Sequence, residues 1–216
     1  MLKHSDDQAL SRAGGSLSEV NTRLRYESDG VVVLRKCIGL NWVEELREAI
    51  DRDIHNPGPY VHSYNSEDST GYFHGNLRTW ESDSTFRSFC MNSSLPGVAA
   101  ALFGSRKVNL LYDQIFVKEP ATMVRTRWHN DQPYWPVQGR QVASFWVALD
   151  HVTTENGALE FIRGSHISGD WYQPEAFGPT TGYDAYERNP DYTPIPNIEA
   201  EREKYDIVSW NLEPGD

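Results

Sequence analysis

The chain has 216 residues, of which 38% are hydrophobic and 24% charged, and its formal net charge at pH 7 is −11. This composition is typical of a folded protein and argues against an intrinsically disordered one, while the length favours a single domain. The acidic balance argues against a nucleic-acid-binding protein, because such proteins neutralise phosphates with basic residues.

The sequence carries no sign of a membrane or secreted protein. Its longest apolar runs, Val31–Leu34 and Val98–Phe103, are far shorter than the roughly 20 residues that a membrane-spanning helix needs. Residues 1–15 are polar and lack the apolar segment of a signal peptide. Cys37 and Cys90 form no disulfide or metal spacing motif, so we expect a cytoplasmic protein with reduced thiols.

The first part of the chain predicts a flexible leader followed by a strand. Residues 1–21 contain Ser, Gly and Asp without apolar periodicity, which predicts a flexible segment. After it, Asp29 and Gly30 predict a turn, and Val31–Val33 predict a β-strand. Residues 22–216 would then form one folded domain.

Two helices are predicted in the next part of the chain. The first is amphipathic, with Asn41 as its N-cap and Glu44 as the capping-box partner. The second covers Leu95–Phe103, with Ser94 as the N-cap and Gly104 as the residue that ends it. The apolar face of the first helix consists of Trp42, Val43, Leu46 and Ile50.

The second half of the chain predicts strands. The segment Asn56–Trp80 before them is predicted to be irregular or to contain short strands. The 44-residue segment Arg163–Asp206 is predicted to be a lid or a substrate-facing loop, because long loops in compact domains are usually functional. Helices followed by strands indicate a sheet sandwich or barrel with helices packed outside it. The predicted strands are Val108–Lys118, Val142–Asp150, Leu159–Ile162 and Ile207–Leu212.

A candidate metal-binding pair lies between the predicted strands. His129 and Asp131 are two residues apart, so in an extended chain both side chains face the same side and can bind one metal ion. One further His would complete the facial triad of non-heme Fe(II) oxygenases, which leaves open positions on the metal. The spacing alone is weak evidence, because His4 and Asp6 in the leader share it.

Five short motifs in and around this pair are more specific than the spacing. They are IFVKEP at 115–120, WHNDQ at 128–132, FWVALDH at 145–151, NGAL at 156–159 and RGSH at 163–166. In this order and spacing, they resemble the phytanoyl-CoA dioxygenase family of Fe(II)- and 2-oxoglutarate-dependent oxygenases. The resemblance covers most of the chain. It implies a mainly β fold, the double-stranded β-helix (a cupin-like jelly roll), with helices packed on one sheet.

The resemblance also implies roles for particular residues. His129 and Asp131 match the two iron ligands that are adjacent in the family's sequences, and no catalytic residue is expected beyond the metal ligands. Trp146 matches a tryptophan that lines the 2-oxoglutarate pocket. Gln114 matches an inward-facing position on the strand before the motif, which also borders the co-substrate.

Two aromatic residues follow the metal motif directly. Tyr134 and Trp135 are candidates for the floor of the substrate pocket, and the alternative is that they pack structurally. His166 and His151 are weak candidates for a third ligand, because Gly-Ser-His in the family pattern forms a turn beyond a strand.

The family's distal His ligand, and an Arg that binds the far carboxylate of 2-oxoglutarate, follow a Pro-Gly-Asp turn. In this sequence that turn is Pro214-Gly215-Asp216, at the end of the 216 residues. We therefore expect a jelly roll that is incomplete at its C-terminus and lacks its last strands. We also expect these 216 residues alone to be inactive.

The resemblance implies a dioxygenase that hydroxylates a small organic substrate with O2 and releases succinate and CO2. Asp131 favours oxygen transfer, because related halogenases have a small residue at that position. Two alternatives stay open: a non-catalytic jelly-roll binding protein, and a metalloenzyme that works without 2-oxoglutarate. No nucleic-acid or membrane partner is expected, and the oligomeric state is not predicted.

Overall fold

The computed structural model describes residues 17–64, 70–122, 124–175 and 189–216. The α-helices among them are α1 (Leu17–Asp29), α2 (Leu40–His55), α3 (Ser84–Asn92) and α4 (Leu95–Phe103). The strands are β1 (Val61–Ser63), β2 (Phe73–Leu77), β3 (Gln114–Lys118), β4 (Glu160–Ile162) and β5 (Ile207–Ser209). The combination of sheets with helices is confirmed. However, more of the described residues lie in these helices than in these strands, so the hydrogen-bonded elements are not mainly β.

The start of the chain differs from the prediction. Residues 1–16 of the predicted leader lie outside the described residues, but α1 begins before the predicted leader ends. An ion pair of Arg23 with Glu27, 2.8 Å long, supports this helix across one turn. Gly30 ends the helix instead of forming a separate turn, since its N–H donates to the Tyr26 carbonyl at 2.9 Å and its φ is +78°.

The predicted strand at Val31–Val33 is also wrong. These residues form no strand, and the segment after them is hydrogen-bonded to the Pro-Gly-Asp turn. The N–H of Lys36 donates to Asp216 Oδ1 at 2.7 Å, and the N–H of Ile38 donates to the Gly215 carbonyl at 2.9 Å. β-Branched residues favour a strand only where a neighbouring strand can pair, and the described residues provide none here.

The two predicted helices are present; the predicted cap residues of α4 are confirmed, but that of α2 is not. The N-cap of α2 is Gly39 in an extended conformation, so the predicted cap at Asn41 is wrong. The bounds of α4 are as predicted, and Gly104 ends it with a φ of +59°. The Ser94 hydroxyl donates to the Cys37 carbonyl at 2.7 Å and makes no cap hydrogen bond to α4.

The helix α3 is not predicted from the sequence, although its start is well defined. The carboxylate of Asp83 accepts hydrogen bonds from the N–H groups of Thr85 and Phe86, at 2.7 and 3.4 Å. Its buried aromatic residues join α2 and the first sheet in one core. The buried members of that core are Ile38, Val43, Leu46, Ala49, Phe86, Phe89 and Ile115.

The strands β1, β2 and β3 form an antiparallel sheet with β2 in the middle. One face of this sheet packs against α2 and carries the buried His74 and Asn76. Both side chains bind the Asp53 carboxylate of α2 at 2.8 Å, so a buried carboxylate has two buried partners. The sequence indicates no partner for His74, and the structure shows that its partner is Asp53.

The strands β4 and β5 form a second antiparallel pair within the predicted segments, although β5 ends at Ser209 instead of Leu212. The strand predicted over Val142–Asp150 pairs with no other strand of the described chain. Its buried Ala148 instead exchanges hydrogen bonds with Gly215 and Asp216, at 2.8 and 3.2 Å. An apolar run indicates burial, but ladder pairing also requires a neighbour in register. None of the helices that the described residues form is long and apolar enough to cross a membrane.

Candidate metal centre

The structure brings His129 and Asp131 together, as their spacing predicts. Nε2 of His129 lies 3.2 Å from Oδ1 of Asp131, just before a short 3₁₀ turn over Gln132–Tyr134. The two side chains are 25% and 46% exposed, so the pair is open to a ligand from solvent.

Two further contacts orient the pair. Nδ1 of His129 lies 2.7 Å from the Arg127 carbonyl, which can only accept, so Nδ1 carries the hydrogen. Oδ2 of Asp131 accepts a hydrogen bond from the Ser144 hydroxyl at 2.8 Å. The lone pair of a neutral His129 ring therefore points at a carboxylate oxygen, and two acceptors converge on one point. A proton or a metal cation satisfies both, and one His with one carboxylate is two of the three ligands of the Fe(II) facial triad.

The pKa values reflect this convergence. Burial lowers the pKa of His129, but the hydrogen bonds to Asp131 and to the Arg127 carbonyl outweigh burial and hold it above its usual value. Burial raises the pKa of Asp131, but hydrogen bonds from His129 and Ser144 outweigh burial and hold it below its usual value. Both shifts favour a protonated imidazole beside an ionised carboxylate, and a bound metal ion would compete with that proton.

No group of three His, Cys, Asp or Glu side chains that could hold a metal occurs in the part of the chain that the structure describes. The two other candidate histidines have other partners. Nε2 of His166 lies 3.0 Å from the Glu27 carbonyl at the end of α1. Nδ1 of His151 lies 2.9 Å from a carboxylate oxygen of Glu213.

Tyr134 lies beside the pair. The ring centroids of His129 and Tyr134 are 5.8 Å apart and the rings meet edge to face, at 85°. The Tyr134 hydroxyl donates to the Glu175 carbonyl at 2.7 Å and accepts from the Glu175 N–H at 2.8 Å. Trp135 points to the start of β3, where its indole N–H donates to the Tyr112 hydroxyl at 2.7 Å.

The two residues matched to the co-substrate pocket lie on separate segments. Gln114 is the first residue of β3, and its amide nitrogen lies 3.4 Å from the Tyr64 hydroxyl. Trp146 is 38% exposed and follows Ser144, the hydrogen-bond partner of Asp131, by two residues. The roles of Gln114 and Trp146 at the co-substrate stay predictions.

Sequence reasoning missed the residues that orient the pair. Ser144 is the polar residue within a predicted apolar strand, and that position could have indicated an inward-facing role. The Arg127 carbonyl has no sequence signature, because any residue supplies one. A third contact, from the Trp128 indole N–H to a Glu199 carboxylate oxygen at 2.7 Å, crosses from the motif to a distant 3₁₀ segment.

The long loop also forms a cavity, away from the pair. It has a volume of about 390 Å³ and is open to solvent. Its lining includes neither His129 nor Asp131, but it does include Gln138 from the loop after the metal motif. The remaining lining residues are Gly169, Asp170, Trp171, Asp191, Tyr192 and Thr193.

Comparison with known proteins identifies relatives of the chain. Residues 26–216 match the family described as phytanoyl-CoA dioxygenase (PhyH). No curated protein sequence matches the chain.

Three solved structures share its fold. The non-heme alpha-ketoglutarate-dependent epimerase SnoN from nogalamycin biosynthesis is 21% identical, with a TM-score of 0.64 over 92% of this chain and 71% of that one. A SnoN complex with Fe³⁺, alpha-ketoglutarate and nogalamycin RO has the same identity and TM-score, over 92% and 72%. The alpha-ketoglutarate-dependent carbocyclase SnoK is 19% identical, with a TM-score of 0.66 over 90% and 71%.

Proposed function

The chain belongs to the phytanoyl-CoA dioxygenase family, and from that premise we propose that it is an Fe(II)- and 2-oxoglutarate-dependent dioxygenase. The proposed reaction hydroxylates a small organic substrate and releases succinate and CO2. The proposed architecture is the double-stranded β-helix of the family. The observation that carries the proposal is the convergence of His129 Nε2 and Asp131 Oδ1 within 3.2 Å, inside the family's motif.

His129 and Asp131 are the residues that would hold the metal. When bound, Fe(II) with 2-oxoglutarate and O2 supplies the oxidising chemistry. In the neutral His129 ring, Nδ1 carries the hydrogen and donates it to the Arg127 carbonyl, which leaves Nε2 for the metal. Ser144 fixes one oxygen of Asp131 and leaves the other for the metal.

The surrounding side chains would shape the space next to the metal. Tyr134 covers one side of the His129 ring and restricts the access of water from there. In an extended segment, residues two apart face the same side, so Trp146 would share the side of Ser144 and Asp131. Gln114 on β3 would then border the co-substrate from the first sheet.

The names of the similar proteins describe outcomes other than hydroxylation. SnoN is called an epimerase and SnoK a carbocyclase. Both names describe small-molecule chemistry that depends on alpha-ketoglutarate, which supports a small-molecule substrate for this chain. The open cavity of about 390 Å³ beside the long loop could hold a part of the substrate that lies away from the metal.

Succinate formation by the purified natural protein tests this function. With Fe(II), 2-oxoglutarate and O2, we expect the protein to produce succinate, and we expect Asp131→Ala to abolish it because the metal loses its anionic ligand. The matched control is Asp150→Ala, which removes an exposed carboxylate that pairs with Arg47 at 3.2 Å.

Each outcome of this assay has a definite meaning. Succinate from the wild type and from Asp150→Ala, but not from a folded Asp131→Ala, supports the proposal. Wild-type turnover in Asp131→Ala with unchanged iron content would rule out its role as a ligand. Metal binding without any succinate would favour a metalloenzyme that does not use 2-oxoglutarate, and the absence of metal binding would favour a binding protein.

A further inference from the structure

Two aromatic residues line the cavity of the long loop. Trp171 lies in the first part of the loop and Tyr192 in the last part, and both contribute to the cavity lining. Their ring centroids are 5.7 Å apart and the ring planes are inclined by 35°, which is within the usual range for a pair of aromatic rings. Both residues are half-buried, so the fold holds the two rings in place at the cavity.

Hydrogen bonds between the two parts of the loop fix this wall. The N–H of Thr193 donates to the Trp171 carbonyl at 2.7 Å, and the N–H of Gln173 donates to the Thr193 carbonyl at 2.9 Å. The side-chain oxygen of Gln173 also accepts from the Asn189 N–H at 3.0 Å. The aromatic wall is therefore formed before any ligand binds, as is usual for small-molecule sites.

The same cavity is lined by two carboxylates and by no basic side chain. Asp170 directly precedes Trp171, and Asp191 directly precedes Tyr192. Both aspartates are exposed, and within the described residues no Lys, Arg or His forms an ion pair with either of them. Their charges are therefore available to a ligand in the cavity.

Aromatic rings beside unpaired carboxylates favour an organic cation as the ligand. An ammonium group is attracted to the faces of Trp and Tyr rings and also to carboxylates. An anion would be repelled by both carboxylates and by the net charge of −11. A metal ion is a poorer fit, because no third His, Cys, Asp or Glu in the described part of the chain joins the two carboxylates in a group that could hold one.

The cavity is connected to the metal motif through Gln138, which also lines it. The next residue, Gly139, is bound through its backbone to the side chain of Gln132. The Gly139 N–H donates to Gln132 Oε1 at 3.1 Å, and the Gly139 carbonyl accepts from Gln132 Nε2 at 2.6 Å. Gln132 directly follows Asp131, so a ligand in the cavity is bordered by the segment that carries the metal ligands.

We propose that the cavity binds a positively charged amino group of the substrate, with the carboxylates of Asp170 and Asp191 and the rings of Trp171 and Tyr192 as its partners. The proposal deepens the proposed function, on which it rests only for identifying the bound molecule as the substrate. It assigns the substrate to the organic ammonium compounds, with the charged group in the cavity and another part of the molecule at the metal.

Ligand-observed NMR titration of the purified natural protein tests this proposal without any metal. The probes are benzylamine, which is protonated at neutral pH, and benzyl alcohol, which is neutral and of similar size. We expect benzylamine to bind more tightly than benzyl alcohol. The double variant Asp170→Asn/Asp191→Asn should weaken benzylamine binding about tenfold, which is the effect of about 1.4 kcal/mol. Added salt should also weaken it, because salt screens exposed charges.

Two further variants complete the experiment. Trp171→Leu should weaken benzylamine binding, because the ammonium group loses an aromatic face. The double variant Asp51→Asn/Asp150→Asn is the matched control, since it removes the same charge at two exposed carboxylates that do not line the cavity. It should bind benzylamine as the wild type does.

The outcomes separate this proposal from the proposed function. Equal binding of the two probes, no binding of benzylamine, or unchanged benzylamine binding in either folded cavity variant would overturn the proposal. An equal loss in the cavity variant and in the matched control would overturn it as well. Benzylamine binding that depends on Asp170 and Asp191, in a protein that forms no succinate, would leave the cation site standing and overturn the oxygenase function alone.

Discussion

At the scale of single residues, the sequence indicates the metal pair but not its supports. Alternation along an extended chain brings His129 and Asp131 to one side, and the structure has them 3.2 Å apart. The Ser144 hydroxyl and the Arg127 carbonyl orient the pair through contacts that depend on the fold. The alternation of side chains along the sequence predicts which side of the chain a residue faces. It does not predict which atoms from distant segments lie on that side.

Gly75 in the middle strand β2 provides a residue-scale test of how tightly the first sheet is packed. We expect Gly75→Ala to destabilise the protein by about 1–3 kcal/mol, because the added methyl group overpacks the site. It would lie 2.7 Å from His62 Nε2 and 2.8 Å from a ring carbon of Tyr64. Urea unfolding measures the change in the free energy of unfolding.

The control for this substitution lies on α4. A Cβ at Gly97 would meet no atom within 4 Å, and the residue is in an exposed helical position. Gly97→Ala should therefore stabilise the protein by about 0.5–1 kcal/mol, since alanine loses less backbone entropy in a helix than glycine. If Gly97→Ala is stabilised and the stability of Gly75→Ala is unchanged, the rings of His62 and Tyr64 are not tightly packed against Gly75.

At the scale of elements, the sequence predicted those helices and strands whose bounds depend on residues close by in the chain. α4 has the predicted bounds because Gly104 supplies its own left-handed ending. β4 and β5 also lie where their apolar residues predict. The strand predicted at Val31–Val33 did not form, because the described part of the chain offers it no partner strand. The helix α3 was missed although Asp83 is a strong N-cap residue.

The cap of α3 provides an element-scale test. We expect Asp83→Ala to lower the free energy of unfolding by about 0.5–2 kcal/mol, because the N–H groups of Thr85 and Phe86 lose their acceptor. Asp83→Asn should keep most of that stability, because an amide oxygen also accepts. Urea unfolding at neutral pH compares the three proteins.

The pH dependence of this cap follows from the pKa of Asp83. Burial raises that pKa, but hydrogen bonds from Thr85, Arg52 and Phe86 outweigh burial and hold it below its usual value. The stabilisation is therefore complete above the unfolded pKa of about 3.9 and is lost as the pH falls through the folded pKa. The stability difference between wild type and Asp83→Ala should narrow below about pH 4. A difference that stays constant to lower pH would contradict a role for the ionised carboxylate.

At the scale of the whole molecule, contacts between distant parts of the chain determine features of the fold that the sequence did not predict. Asp216 accepts hydrogen bonds from the N–H of Lys36 and from Arg35, both at 2.7 Å, so the Pro-Gly-Asp turn holds the segment after α1. A Cβ at Gly215 would lie 2.5 Å from the Ile38 carbonyl, and its φ is +92°, so both space and backbone favour glycine there. The family resemblance indicated the turn, but only the fold gives its partner.

The measurement that most directly tests the central claim is an anaerobic titration of the natural protein with Fe(II), with and without 2-oxoglutarate. We predict that the wild type and His151→Ala bind Fe(II) equally, because His151 pairs with Glu213 outside the site. We predict that His129→Ala and Asp131→Ala each lose Fe(II) binding, and that 2-oxoglutarate strengthens Fe(II) binding only in the proteins that retain both ligands. Equal Fe(II) affinity in the wild type and in folded His129→Ala and Asp131→Ala proteins would contradict the account.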